Sequence, residues 1–252
     1  MKLFIRFLVI LSFLIIPCNS CALTVAAASS LQLVLQEISD LFEKETQAKV
    51  EIVYGSSGKL TAQIQNGAPF DIFLSADMEC PETVYKEGLA FNRPKQFVSG
   101  GLVLWTIKDI DLSRGFEILF EDTIRKIAIA DPKTAPYGLQ AVNAIGFYKK
   151  DVGKKLVYGE SIGQVNQFII SGAADVGFTA KSVVLAPNLK GKGKWVDVDP
   201  KSYSPIAQGV VVLKHAKEND LKKSQQFFDF LFSDKAQEIF KKYGYTLPSE
   251  HE

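Results

Sequence analysis

A chain of 252 residues, 47% of them hydrophobic, has enough apolar side chains for one large domain or for two lobes with a core each. Its 29 basic and 28 acidic side chains nearly cancel, so it lacks the basic excess of a nucleic-acid binder, and nucleic acid is excluded as a partner. Nothing in the composition fits a disordered or fibrous chain.

The first 22 residues differ from the rest. Lys2 and Arg6 precede the apolar run "FLVILSFLII", and small residues at Ser20 and Ala22 offer a cleavage site before Leu23. This is the pattern of an export signal, and the run is short of the about 18 residues that a membrane span needs. Export to the periplasm with cleavage near Ala22–Leu23 is therefore expected. Lipid attachment at Cys21 is the alternative, although the residues before it fit a lipoprotein signal poorly. Cleavage leaves Cys80 as the remaining cysteine, which rules out an internal disulfide and a cysteine metal cluster in the mature chain.

"LTVAAASS" (23–30) reads as a buried strand ending in small residues, and Leu31, Val34, Leu35, Ile38, Leu41 and Phe42 then recur at helical spacing. "AKVEIVYGSSG" (48–58) repeats the strand-then-loop pattern, with a short helix from Leu60 to Gln65 ended by Asn66-Gly67. "FDIFLSAD" (70–77) is a third strand. After Phe97 the same grammar restarts with strands in "GLVLWTI" (101–107), "KIAIADP" (126–132) and "VGFTA" (176–180), and a helix in "YGLQAVNAIGFY" (137–148). "SPIAQGVVVLKHA" (204–216) is a late strand. Two amphipathic helices, "DLKKSQQFFDFLF" and "SDKAQEIFKKYGY", follow it, the second capped by Ser233 and stopped at Gly244.

Alternating strands and helices of this kind predict an α/β fold with mainly parallel sheets and a binding crevice at the carboxyl ends of the strands. The segments "NGAPFDIFLSA" (66–76) and "SGAADVGFTA" (171–180) echo each other, which suggests two lobes built alike. The expected division is a leader over 1–22, a first lobe from 23–98 and 206–252, and a second lobe from 99–205. Strands near 98–106 and 205–213 would cross between the lobes.

Most catalytic chemistry fails on spacing. A phosphate-binding P-loop ends in Gly-Lys-Ser/Thr, but Gly58-Lys59 is followed by Leu60. A serine-hydrolase elbow needs Gly-x-Ser-x-Gly, and Gly55 and Ser57 are followed by Lys59. The histidines are His215, expected at a solvated surface, and His251 near the C-terminus, so no base is paired with a nucleophile. Metal-ligand spacing of His and Cys is absent. Asp71, Asp77, Asp131 and Asp175 sit at strand ends, where aspartates commonly cap turns. An exported carboxylate-dependent hydrolase using Asp71 or Asp77 stays open as an alternative.

Four loop-to-helix junctions remain: Ser29-Ser30, Ser56-Ser57, Pro136-Tyr137-Gly138 and Ser161-Ile162-Gly163. Each would present unpaired amides and the positive end of a helix dipole, which attract anions.

The stretches "AASSLQ", "YGSSGKLTAQIQNGAPFDIFLSAD", "IAIADPKTAPYG" and "AQEIFKKYGYTLP" resemble, in order and spacing, the periplasmic molybdate-binding proteins of ABC importers, the ModA-type family. The resemblance runs from about Leu23 to Pro248. It implies a two-lobed type II periplasmic binding protein that closes over a molybdate or tungstate dianion and delivers it to a membrane permease driven by an ATPase. No catalysis, no cofactor and a monomer are implied with it. Ser30 and Ser57 would supply amide and hydroxyl donors from the first lobe, while Tyr137 and Ile162 would supply backbone amides from the second. Ala180 stands where some members place a tyrosine hydroxyl, and the phenol of Tyr137 is the expected replacement. Ser29 stands where many members have alanine, and Lys59 is expected in solvent rather than on the ligand. A carrier of sulfate or thiosulfate on the same fold is the alternative within binding. The effector domain of a transcription regulator also shares the fold, but the leader argues against it.

Overall fold

The computed structural model describes residues 22–248, so the expected leader, with Cys21, lies outside the described residues except for Ala22. In chain order, β1 (Leu23–Ala28), α1 (Gln32–Thr46), β2 (Val50–Gly55), α2 (Ser57–Gln65), β3 (Ile72–Leu74), α3 (Glu79–Lys86) and β4 (Lys95–Gly100) come first. Next are β5 (Leu102–Thr106), β6 (Ile127–Ala130), α4 (Pro136–Phe147), β7 (Leu156–Gly159), α5 (Ile162–Ile170), β8 (Val176–Ala180), α6 (Lys181–Leu185) and β9 (Lys194–Asp197). The last elements are β10 (Ile206–Val212), α7 (Leu221–Phe230) and α8 (Asp234–Lys242).

The strands form two five-stranded sheets, ordered β2-β1-β3-β10-β4 and β7-β6-β8-β5-β9. Each has a parallel trio, then one reversed strand, β10 or β5, that pairs antiparallel on both sides. The two lobes therefore share one topology, and the echoing segments at 66–76 and 171–180 lead into the third strand of each sheet. The repeated aspartate has the same job in both. Asp71 accepts from the Thr24 amide at 2.8 Å, and Asp175 accepts from the Arg125 and Lys126 amides at 2.8 Å. Each carboxylate thus ties the entry of one parallel strand to the next.

The apolar periodicity of α1 buries Val34, Leu35, Ile38 and Phe42 against the first sheet, and its chain leaves through Gln47 in a left-handed conformation (φ 61°). The C-terminal helices return to that lobe. Phe42 meets Phe227 and Phe230 edge-on, and Phe97 meets Phe240 with ring centres 5.5 Å apart. Ser233 caps α8 by accepting from the Ala236 amide.

Three details depart from the sequence reading. The crossing strand expected over 98–106 is interrupted at Gly101, so β4 and β5 belong to different sheets. The edge strands β7 and β9 escape the sequence reading because an edge strand is only half covered and their apolar stretches are as short as Leu156-Val157-Tyr158 and Trp195-Val196. His215 is not a free surface residue: its Nδ1 lies 3.0 Å from the buried carboxylate of Asp71, which also accepts from Asn219. Asp71 is thus engaged at the amino end of the parallel strands, opposite the crevice. Asp77 is engaged as well, accepting from Ser75 Oγ and the Cys80 amide. Burial and the nearby Asp77 carboxylate push the Cys80 thiol up to about 12, which leaves it protonated and unreactive.

Candidate functional site

The carboxyl ends of β1, β2, β6 and β7 face one another, and the four loop-to-helix junctions follow these strands. Two junctions come from each sheet, at equivalent positions. They surround a small cavity lined by Ser29, Ser30, Ser56, Ser57, Tyr137 and Ile162, with Ala28, Gly55, Ala76, Ala135 and Pro136 between them. No charged side chain is among these lining residues.

The two C-terminal helices, α7 and α8, are capped by side chains: Asp220 accepts from the Lys223 amide and Ser233 from the Ala236 amide. Those that open on the cavity are not. The residues preceding α2, α4 and α5 are Ser56, Ala135 and Ser161, and none makes a side-chain capping bond. The first-turn amides of a helix have no intrahelical partner, so those of Ser57, Tyr137 and Ile162 are available to an acceptor in the cavity. Each of these three helix starts carries about half a positive elementary charge. Together they offset much of a dianion without a lysine or arginine.

The hydroxyls make the same point. Ser57 Oγ accepts from the Ala76 amide at 3.0 Å, which leaves its proton free to donate. Ser30 Oγ and Ser56 Oγ are buried and have no hydrogen-bond partner among the described residues. Buried polar atoms without partners are uncommon in folded proteins, and two facing one cavity mark a ligand position. The sequence reading singled out Ser57 from its doublet. The structure adds Ser56, whose extended backbone (φ −79°, ψ 148°) makes it the residue before the helix.

Ser30, Ser57, Tyr137 and Ile162 are gathered at the cavity; Ala180 is not. Ala180 ends β8, pairs with Leu102 and is fully buried in the core, because the third strand of the sheet leads into α6 rather than into the crevice. Nor is the phenol of Tyr137 free for the ligand. Its oxygen accepts from Gln208 Nε2 at 3.1 Å, on the side of the crossing strands. Burial, with Tyr245 and Tyr203 nearby, pushes that phenol well above its usual range and keeps it protonated.

This placement depends on Gly100. A Cβ there would lie 2.0 Å from Tyr137 Oη and 2.7 Å from Gln208 Nε2. Gly100→Ala is expected to lower stability by about 1–3 kcal/mol, and adding Tyr137→Phe, which removes the clashing oxygen, to recover part of it in urea unfolding. Equal unfolding curves for Gly100→Ala and wild type would contradict this.

The lobes touch directly around the cavity. The Gly58 amide donates to Thr134 O at 2.9 Å, and the Gly163 amide donates to Ser29 Oγ at 3.2 Å. Lys59 is not simply solvated: its Nζ lies 3.0 Å from Glu160 Oε2 across the gap, outside the cavity lining. Both side chains are well exposed, and exposed pairs contribute about 0–1 kcal/mol. Lys59→Gln or Glu160→Gln should therefore change ligand affinity by no more than about fivefold, an effect that calorimetry in high salt should erase.

Residues 23–246 match the family described as bacterial extracellular solute-binding protein. The molybdate-binding protein ModA of Azotobacter vinelandii is 37% identical over 226 residues, covering 88% of this chain and 89% of that one. ModA of Rhodobacter capsulatus is 36% identical, covering 92% and 91%. The solved structure of the Azotobacter vinelandii periplasmic molybdate-binding protein superposes with a TM-score of 0.85 at 33% identity, covering 90% of this chain and all of that one. These relatives are binding proteins of transporters, not enzymes, which removes the hydrolase alternative that Asp71 and Asp77 had left open. The chain belongs to the bacterial extracellular solute-binding protein family, alongside its ModA members.

Proposed function

We propose that this protein captures molybdate, and tungstate with it, outside the cytoplasm and hands it to the permease of an ABC importer powered by its ATPase. The observation that carries the reading is the cavity itself: four junctions from two lobes converge on it with free amides and unpaired hydroxyls and no charged side chain. The ModA relatives, named for molybdate, support the choice of ion. The ligand set is Ser30, Ser56 and Ser57 from the first lobe, with the amides of Tyr137 and Ile162 from the second. Residues 23–98 and 206–252 move as one lobe and 99–205 as the other. The mature chain, cleaved after Ala22, works as a monomer.

Selection follows from donor chemistry and size. A site built only of donors suits a fully deprotonated oxyanion, whereas a protonated phosphate brings a donor that finds no acceptor. Sulfate has the charge and shape but is smaller. Donors fixed by helix starts and spaced for the larger ion leave the hydrogen bonds of sulfate too long, each costing about 1 kcal/mol or more when buried. Contacts from both lobes favour the closed form over the open one, and that difference is what a permease reads.

Calorimetry of the mature protein with molybdate, tungstate, sulfate and phosphate tests the reading. Tight binding of molybdate and tungstate with weak sulfate binding is expected. Tight sulfate binding without molybdate binding would replace it with a sulfate carrier.

A further inference from the structure

Ser30 meets the cavity with its hydroxyl, but its carbonyl faces the other way and is held there. Ser182 Oγ donates to Ser30 O at 3.1 Å, and Tyr245 Oη lies 3.3 Å from the same oxygen and 3.0 Å from Ser182 Oγ. All three residues are buried. Ser182 belongs to α6, which hangs from the second sheet, whereas Ser30 and Tyr245 belong to segments packed on the first. We propose that Ser182 and Tyr245 are positioning residues: a buried hydroxyl chain, from Tyr245 to Ser182 to the Ser30 carbonyl, fixes the Ser30 turn for the ligand and fastens it to the opposite lobe. The proposal rests on the oxyanion site described above and deepens it.

The surroundings are built for this contact. Gly244 (φ +79°) brings Tyr245 against α6, where a Cβ at Gly244 would lie 2.5 Å from Leu185 Cδ1. The next residue, Thr246, exchanges backbone hydrogen bonds of 2.7 and 2.9 Å with Ser99 beside the crossing point of the chain. Burial pushes the Tyr245 phenol above its ordinary range, so it remains a donor. Each hydroxyl has one proton. The arrangement that uses both is Tyr245 donating to Ser182 and Ser182 donating to Ser30, in which each bond polarises the next. The motif "KKYGYTLP" thus acquires a role that helix termination by Gly244 does not explain. Ser30 is held on one face by the opposite lobe and on the other by the ligand, so occupancy and closure act on the same turn.

The test is a double-mutant cycle on molybdate binding. Ser182→Ala is expected to weaken binding by about 5- to 20-fold, with Tyr245→Phe, which keeps the ring volume, acting in the same direction. In a Ser30→Ala background the Ser182→Ala effect should shrink to within about twofold, because there is no hydroxyl left to position. Additive effects in the two backgrounds would reduce Ser182 to a packing residue and overturn the proposal, as would unchanged affinity in both single variants. The wild-type titration separates the two readings. If wild type binds sulfate and not molybdate, the choice of ion fails and the cycle is run with sulfate. If it binds neither, the site and its clamp fall together.

Discussion

Ser57→Ala should weaken molybdate binding by about 10- to 100-fold and destabilise the ligand-free protein by about 1–3 kcal/mol, whereas Ser30→Ala should weaken binding comparably with no loss of ligand-free stability. The two serines look alike in sequence, and their partners separate them. Ser57 Oγ accepts from the Ala76 amide, so removing it orphans a buried donor in the folded chain as well as a donor to the ion. Ser30 Oγ has no partner among the described residues, so its removal relieves an unpaired buried hydroxyl and costs only the bond to the ligand. Hydrogen bonds to a charged group contribute about 1.5–3 kcal/mol, which sets the affinity range. Urea unfolding of both ligand-free variants, with calorimetry beside it, checks the split. Equal destabilisation by both would mean that Ser30 is a structural residue.

Gly138→Ala should be more damaging still, with a stability loss of about 3 kcal/mol and molybdate binding weakened by more than about 100-fold. A Cβ on Gly138 would sit 2.1 Å from the carbonyl oxygen of Ala130 and 2.6 Å from its carbon. Both are backbone atoms of β6, and no rotamer change clears them. The first turn of α4 must shift instead, taking the Tyr137 amide with it. Gly146 in the same helix is the control, because it is exposed and a Cβ there meets nothing within 4 Å. Gly146→Ala should stabilise by about 0.5–1 kcal/mol through helix propensity and leave affinity unchanged. Wild-type binding by Gly138→Ala would show that the start of α4 is not part of the site.

Much of this architecture is legible in the sequence where a local pattern has a single physical meaning. A strand ending in small residues before an amphipathic run marks a crevice junction, and Ser30, Ser57, Tyr137 and Ile162 all stand at such junctions. What escapes is set by tertiary contact. Which serine of the 56–57 doublet precedes the helix depends on backbone angles, so the unpaired hydroxyl of Ser56 has no sequence signature. Ala180 ends a strand in small residues as the others do, yet its strand is third in the sheet and its helix packs beneath the Ser29–Leu31 turn. Lys59 with Glu160, and Ser30 with Ser182, are pairs from different sheets, far apart in the chain, that no local pattern announces. The tie between His215 and Asp71 lies within one lobe but is hidden as well, because 144 residues of chain separate the partners.

Diffraction at the molybdenum edge from crystals of the molybdate complex tests the central claim most directly. The expected result is one anomalous peak between the two sheets, with its oxygens within hydrogen-bonding reach of the Ser30 and Ser57 hydroxyls and the Tyr137 and Ile162 amides, and no lysine or arginine touching them. A peak outside this cavity, or a cationic side chain bonded directly to the ion, would contradict recognition of the dianion by neutral groups alone.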